Sequence, residues 1–129
     1  MAYDFDPELA PFIEMLPSEV LTDIPAARDN LVNLVASLSA DIDTTGVSVE
    51  DVDAPVPMRV YRPDGDGPRP GFLTIHGGGF VMGSIAMEHA FGVQVARELG
   101  VVVVAVEYRL APEHPYPCLL YTSPSPRDS

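Results

Sequence analysis

Six consecutive apolar residues, Val101–Val106 in "GVVVVAVEYR", restrict this chain more than any other stretch. All but Ala105 are β-branched, so stiff χ1 angles disfavour a helix and suit a pleated strand. A strand without polar alternation has to be covered on both faces, as an inner strand of an α/β sheet is. Upstream, "FLTIHG" (72–77) reads as a second, short buried strand, and "MEHAFGVQVAREL" (Met87–Leu99) as a helix despite Gly92. Strand, glycine loop, helix and strand over 72–108 form a βαβ unit, which calls for a parallel pair and a right-handed crossover.

The segments before it follow other periods. Asp6 is placed as an N-cap with Pro7 at the first helical position, and Leu9, Phe12, Ile13 and Leu16 share one apolar face up to Pro17. Asp23 or Ile24, followed by Pro25, starts a second helix whose shared face is Leu31, Leu34, Val35 and Leu38. Two roles remain open for this pair, core-covering helices or a mobile lid over a site. From Gly46 the period falls to two: Val47, Val49 and Val52, then Met58 and Val60 alternating with Arg59 and Tyr61, predict two half-buried strands. "DGDGPRPG" (64–71) is a turn or loop by its glycine and proline content.

With 129 residues and 47% apolar content, the chain suffices for one small domain with its own core. Its formal charge of −12 sets 19 acidic residues against 7 arginines and no lysine, which argues against nucleic acid or an anionic membrane as partner. The lack of lysine also excludes a Walker-type phosphate lysine, a Schiff base and a Ser–Lys dyad. No apolar run approaches membrane-spanning length, and the acidic start "MAYDFDPELA" has no signal-peptide pattern, so a reducing cytoplasm is the default location. The single cysteine, Cys118, permits no internal disulfide.

That cysteine opens "CLLYTSPSPRDS" (118–129), a tail that breaks the α/β pattern. Back-translated, Cys118–Asp128 resembles a transposase-type sequencing adapter read in frame, so the tail is set aside as non-native. The natural chain is then expected to continue past Pro117.

The glycines of "LTIHGGGFVMGS" (73–84) admit three readings. A dinucleotide loop starting at Gly77 would need glycine where Met82 stands, and Walker A needs the absent lysine. A plain turn explains positive φ angles, but neither three glycines in a row nor a histidine held at the strand end. An oxyanion hole explains both, since glycine amides can approach a carbonyl oxygen that becomes charged during attack. "HGGGF" (76–80), followed after one helix and one strand by "YRLAPEHPYP" (108–117), resembles the hormone-sensitive-lipase-like family of α/β-hydrolases. The order of two cap helices, antiparallel strand pair, glycine loop, helix and buried strand fits that family, and "DIPAARDN" is similar to its cap region.

The resemblance implies an α/β fold: cap helices over 1–45, and over 46–117 the first part of an α/β-hydrolase core, truncated before the nucleophile elbow. It implies a serine carboxylesterase or lipase acting through an acyl-enzyme on a small-molecule ester, without cofactor. The Gly78 and Gly79 amides would be oxyanion donors, with His76 and Gly77 shaping the loop. Phe80 would line the pocket mouth or serve as a core aromatic. Tyr108, Arg109 and Glu113 would form a hydrogen-bonded, charged frame below the site, or else part of a solvated loop. His89 and His114 receive no role, and the spacing of the histidines fits no metal motif.

The expected nucleophile is missing: 1–129 contains no G-x-S-x-G, and Ser84, followed by Ile85 and Ala86, is instead placed as a helix N-cap. The chain alone is therefore expected to be inactive and, with an open apolar sheet edge, to aggregate. A hydrolase-like protein that binds its ligand without turnover is the alternative.

Overall fold

A computed structural model of the chain describes residues 6–9 and 23–116. The valine run becomes β4 (Val102–Val106), an inner strand of a four-stranded sheet ordered β1-β2-β4-β3. β1 (Val47–Val52) and β2 (Met58–Pro63) form an antiparallel pair, with Val49 opposite Tyr61. β2 is also antiparallel to β4, with Tyr61 opposite Val103. β3 (Gly71–Ile75) runs parallel to β4, with Leu73 opposite Val104, so the strand pair and the βαβ unit share one mixed sheet.

The core lies on one face of this sheet. Tyr61, Val103 and Ala105 point there and pack, fully buried, against Val93 and Ala96 of the crossover helix α2 (His89–Leu99). Gly92 is the reason the helix can come so close, because a Cβ at that position would lie 2.6 Å from the Tyr61 ring. The glycine that weakens the helical pattern in the sequence is thus the contact point of helix and sheet. α2 is preceded by a 3-10 turn at Ile85–Glu88, so the predicted start at Met87 falls inside a tighter coil. It ends at Gly100, left-handed at φ 64°, whose amide bonds to the Ala96 carbonyl.

The opposite face corrects the expectation that 72–77 forms a buried strand. Val60 and Val106 are buried there, but Leu73 and Ile75 remain 46% and 48% exposed. The physical reason is position: β3 is the last strand in the sheet order, and among the described residues nothing pairs with its outer edge. The apolar pattern is that of an inner strand, whereas the coverage is that of an edge.

At the N-terminal end, Pro7–Leu9 form a 3-10 turn, and the Asp6 carboxylate accepts from the Glu8 amide at 2.9 Å. The predicted continuation through Phe12, Ile13 and Leu16 lies outside the described residues, as does the tail from residue 117. Helix α1 (Ile24–Ser39) begins as expected: the Asp23 carboxylate caps it by accepting from Ala26 N at 3.1 Å, with Pro25 in the first turn. Its inward stripe is rotated from the predicted one. Ile24, Ala27, Arg28, Leu31 and Val35 turn toward the body, while Leu34 and Leu38 are 55% and 72% exposed. The cause is Arg28, which turns inward to reach polar partners and so sets the helix's rotation. Among the described residues no helix is long and apolar enough to cross a membrane.

Gly92→Ala tests the close approach of α2 to the sheet. Repacking around the new methyl lowers stability by about 1–3 kcal/mol, outweighing the roughly 1 kcal/mol that alanine adds to a helix interior. The expected readout, in the protein extended past Pro117, is a lower urea midpoint; a raised midpoint would show that Tyr61 yields freely.

Candidate active site

β3 ends at Ile75 and delivers its chain into the loop 76–84, which leads to the turn before α2. The backbone there requires glycine at two positions. Gly78 sits at φ 130°, where a Cβ would overlap the Met82 carbonyl. Gly83 sits at φ 103°, where one would overlap the Gly77 carbonyl oxygen and the His76 ring. Phe80 is also left-handed, at φ 67°, a conformation that a bulky residue keeps only when its surroundings impose it.

Those surroundings act on the carbonyls. The His76 carbonyl accepts from the Tyr108 hydroxyl at 2.8 Å, and the Gly77 carbonyl accepts from His76 Nδ1 at 2.8 Å. The Gly78 carbonyl accepts from the amides of Val81 and Met82 at 3.2 and 2.9 Å. The Phe80 carbonyl accepts from Ala111 N at 3.0 Å, and the Val81 carbonyl from Arg28 Nε at 2.8 Å. Among the described residues, the amides of Gly78, Gly79 and Phe80 donate to no protein acceptor. Five carbonyls of the loop are engaged, with Gly79 the exception among residues 76–81, and three successive amides are free, so the loop presents partial positive charge, the arrangement that receives an anion or a developing oxyanion.

His76 and Tyr108 form the floor. Their rings stack with centroids 4.2 Å apart and planes 15° from parallel, and both residues are buried. A carbonyl can only accept, so the contact with Gly77 assigns the Nδ1 proton to His76. His76 Nε2 is then buried without a hydrogen-bond partner, and Glu107 Oε1 lies 3.7 Å away, beyond hydrogen-bond reach but close enough for charge to act. Burial opposes a charged imidazole, yet the Glu107 carboxylate and the Gly77 carbonyl outweigh it, and the pKa of His76 is raised. The other Glu107 oxygen accepts from Ile85 N at 2.8 Å, which ties the floor to the start of the crossover turn. The Thr74 hydroxyl donates to Glu88 beside it.

The frame residues separate. Glu113 makes a two-point ion pair with Arg28, at 2.8 Å and 3.0 Å. Arg109 is exposed and has no hydrogen bond or ion pair among the described residues. Phe80 is 64% exposed above the loop. Ser84 is extended and opens the 3-10 turn through its backbone, but its hydroxyl makes no capping bond. His89 lies against Tyr61, and His114 is exposed in the proline-rich loop. A cavity of about 100 Å³ between α1 and the loop is lined by Arg28, Leu31, Val32, Val35, Gly83 and Ser84. Among the described residues no cluster of side chains could hold a metal ion.

Arg28 was not picked out by the sequence reading. The signal available was a lone cation on the stripe Ile24, Ala27, Leu31, Val35, where a side chain turned inward must find acceptors.

A family profile described as alpha/beta hydrolase fold matches residues 72–123, which takes in the glycine loop, α2 and β4. The chain superposes on a solved bacterial heroin esterase with a TM-score of 0.82 and 42% identity, over 91% of this chain and 39% of that one. Over the part it shares with these proteins, the chain is an α/β-hydrolase of the hormone-sensitive-lipase-like kind. Among curated relatives, it is 33% identical to the carboxylic ester hydrolase LipN of Mycobacterium tuberculosis, over 74% of this chain and 26% of that protein. It is 32% identical to the esterase LipI of the same organism, over 89% of this chain and 38% of that protein. The α/β-hydrolase sequence present here therefore spans about a quarter to two fifths of the length of these relatives.

The charged environment of His76 generates a pH prediction. Because its pKa is raised on folding, the histidine's stabilising contribution is complete below the unfolded value and is lost as pH rises through the folded one. Stability should thus decline as pH rises above the ordinary histidine value of about 6.5. In Glu107→Gln, which can still accept from Ile85 N, urea midpoints above that pH should lose this slope. An undiminished slope would assign it to other groups.

Proposed function

We propose that the protein containing this chain is a carboxylic-ester hydrolase, in which the Gly78 and Gly79 amides stabilise the oxyanion formed when a serine attacks a small-molecule ester. The observation carrying this reading is the asymmetry of the loop: the carbonyls of Gly77, Gly78, Phe80 and Val81 all accept hydrogen bonds, while the amides of Gly78, Gly79 and Phe80 have no acceptor among the described residues. Preorganised amides of this kind contribute only as negative charge develops, so they favour the transition state over the bound ester.

In this reading His76 and Gly77 shape the loop and Phe80 lines the entrance. His76 is not the catalytic base, because its Nδ1 is committed to Gly77 and its Nε2 is buried toward Glu107. No G-x-S-x-G occurs in residues 1–129, so the nucleophile and its partners belong to sequence beyond Pro117, and 1–129 alone turns over no ester. The names of the relatives, a carboxylic ester hydrolase and an esterase, support the same reaction class.

The test is to express the gene read through past Pro117 and to measure hydrolysis of p-nitrophenyl esters. Activity is expected from the extended protein and not from 1–129. Gly78→Ala keeps the amide but forces it away from the Met82 carbonyl, and should lower kcat of the extended enzyme by up to about 10²–10³-fold, the cost of an oxyanion donor moved out of reach. Gly79→Ala meets nothing within 4 Å but places alanine at φ 60°, so it carries only the left-handed strain of about 1–2 kcal/mol and should lower kcat less than Gly78→Ala. An extended reading frame without G-x-S-x-G, or ligand binding without turnover, would overturn the esterase reading.

A further inference from the structure

Three segments far apart in sequence meet at one side chain. Arg28, on the second turn of α1, donates from Nε to the Val81 carbonyl at 2.8 Å and from Nη2 to the Ala111 carbonyl at 2.7 Å. Its Nη1 and Nη2 grip both carboxylate oxygens of Glu113, which fixes the plane of the guanidinium. Ala111 in turn donates its own amide to the Phe80 carbonyl at 3.0 Å. Arg28 therefore holds the loop directly, at Val81, and also holds the segment that holds the loop, at Phe80.

The residue between these two grips and the free amides is Phe80, at φ 67°. A non-glycine residue leaves that region unless neighbouring bonds keep it there. If the carbonyls of Phe80 and Val81 were released, the peptide planes on the amide side would be free to turn as well. The Arg28 fork is planar and offers donors at fixed angles, which a lysine ammonium cannot reproduce at three acceptors.

We infer that Arg28, clamped by Glu113, is a positioning residue that holds the Gly78–Phe80 amides in register for the oxyanion. The inference rests on the esterase reading for its kinetic consequence and on the loop geometry alone for its structural one. Arg28 touches neither ester nor nucleophile. It acts through the Val81 and Ala111 carbonyls, and it makes the inner edge of α1 part of the catalytic frame instead of a detachable cover.

The experiment uses the extended, full-length protein with Arg28→Gln, Arg28→Lys and Glu113→Gln. Two quantities are measured: p-nitrophenyl ester kinetics corrected for the titre of reactive serine, and amide hydrogen exchange across residues 76–84. The expected result is a fall in kcat of about 10–100-fold in Arg28→Gln with KM within about threefold, because mis-aimed donors weaken the transition state and not ground-state binding. Glu113→Gln should fall between wild type and Arg28→Gln, Arg28→Lys should recover only part of the loss, and exchange at Val81 and Met82 should quicken in the same order. Unchanged kcat and unchanged exchange in Arg28→Gln would overturn the inference. So would a loss confined to melting temperature and serine titre, with kcat per titrated site intact, which is the pattern of a residue that only holds α1 on. Should Arg28→Gln fail to fold, Glu113→Gln and Arg28→Lys carry the same two readouts. If the wild-type protein hydrolyses no ester, the esterase reading fails, and the exchange arm still decides whether Arg28 orders the loop.

Discussion

The loop after β3 exists in its observed shape because its carbonyls have somewhere to go. A left-handed Phe80 and a glycine at φ 130° are unfavourable in isolation, and a short loop at a sheet edge has few neighbours to hold it. Here Tyr108 comes from the end of β4, Ala111 from the segment after it and Arg28 from α1, and each removes one carbonyl from competition. What is left over, the row of amides, is the chemically useful part. The site is thus defined as much by what has been satisfied as by what has been left free.

The same logic explains why one sheet face carries the structure. Tyr61, Val103 and Ala105 meet Val93 and Ala96 across a contact that Gly92 keeps short, and His76 continues that face beyond the end of β3. His76 stacks on Tyr108 and lies near Glu107, so the floor of the site is a buried group of its own beside the core.

Much of this was readable beforehand, for local reasons. The period-two residues of β1 and β2, the valine run of β4, the Asp23 cap and the glycine loop each declare themselves within a few residues. What misled or stayed hidden was long-range. The apolar content of β3 describes an inner strand, but exposure depends on neighbours that a local pattern does not contain, so Leu73 and Ile75 were expected inside and are half exposed. The face of α1 was drawn through Leu34 and Leu38 because hydrophobicity was the only criterion; the helix is turned instead by Arg28, whose partner Glu113 lies 85 residues away. Glu113 could be noticed through its motif, whereas Arg28 could be noticed only once its acceptors were in place.

That separation also orders events during synthesis. A ribosome adding about 5–20 residues per second makes α1 roughly 4–17 seconds before Glu113 exists. Throughout this interval the guanidinium on α1 and the glycine loop lack the partner that joins them. The helix made early and the loop made midway acquire their full set of contacts when the segment after β4 has emerged, so the geometry of the glycine loop is among the last features of this region to be set.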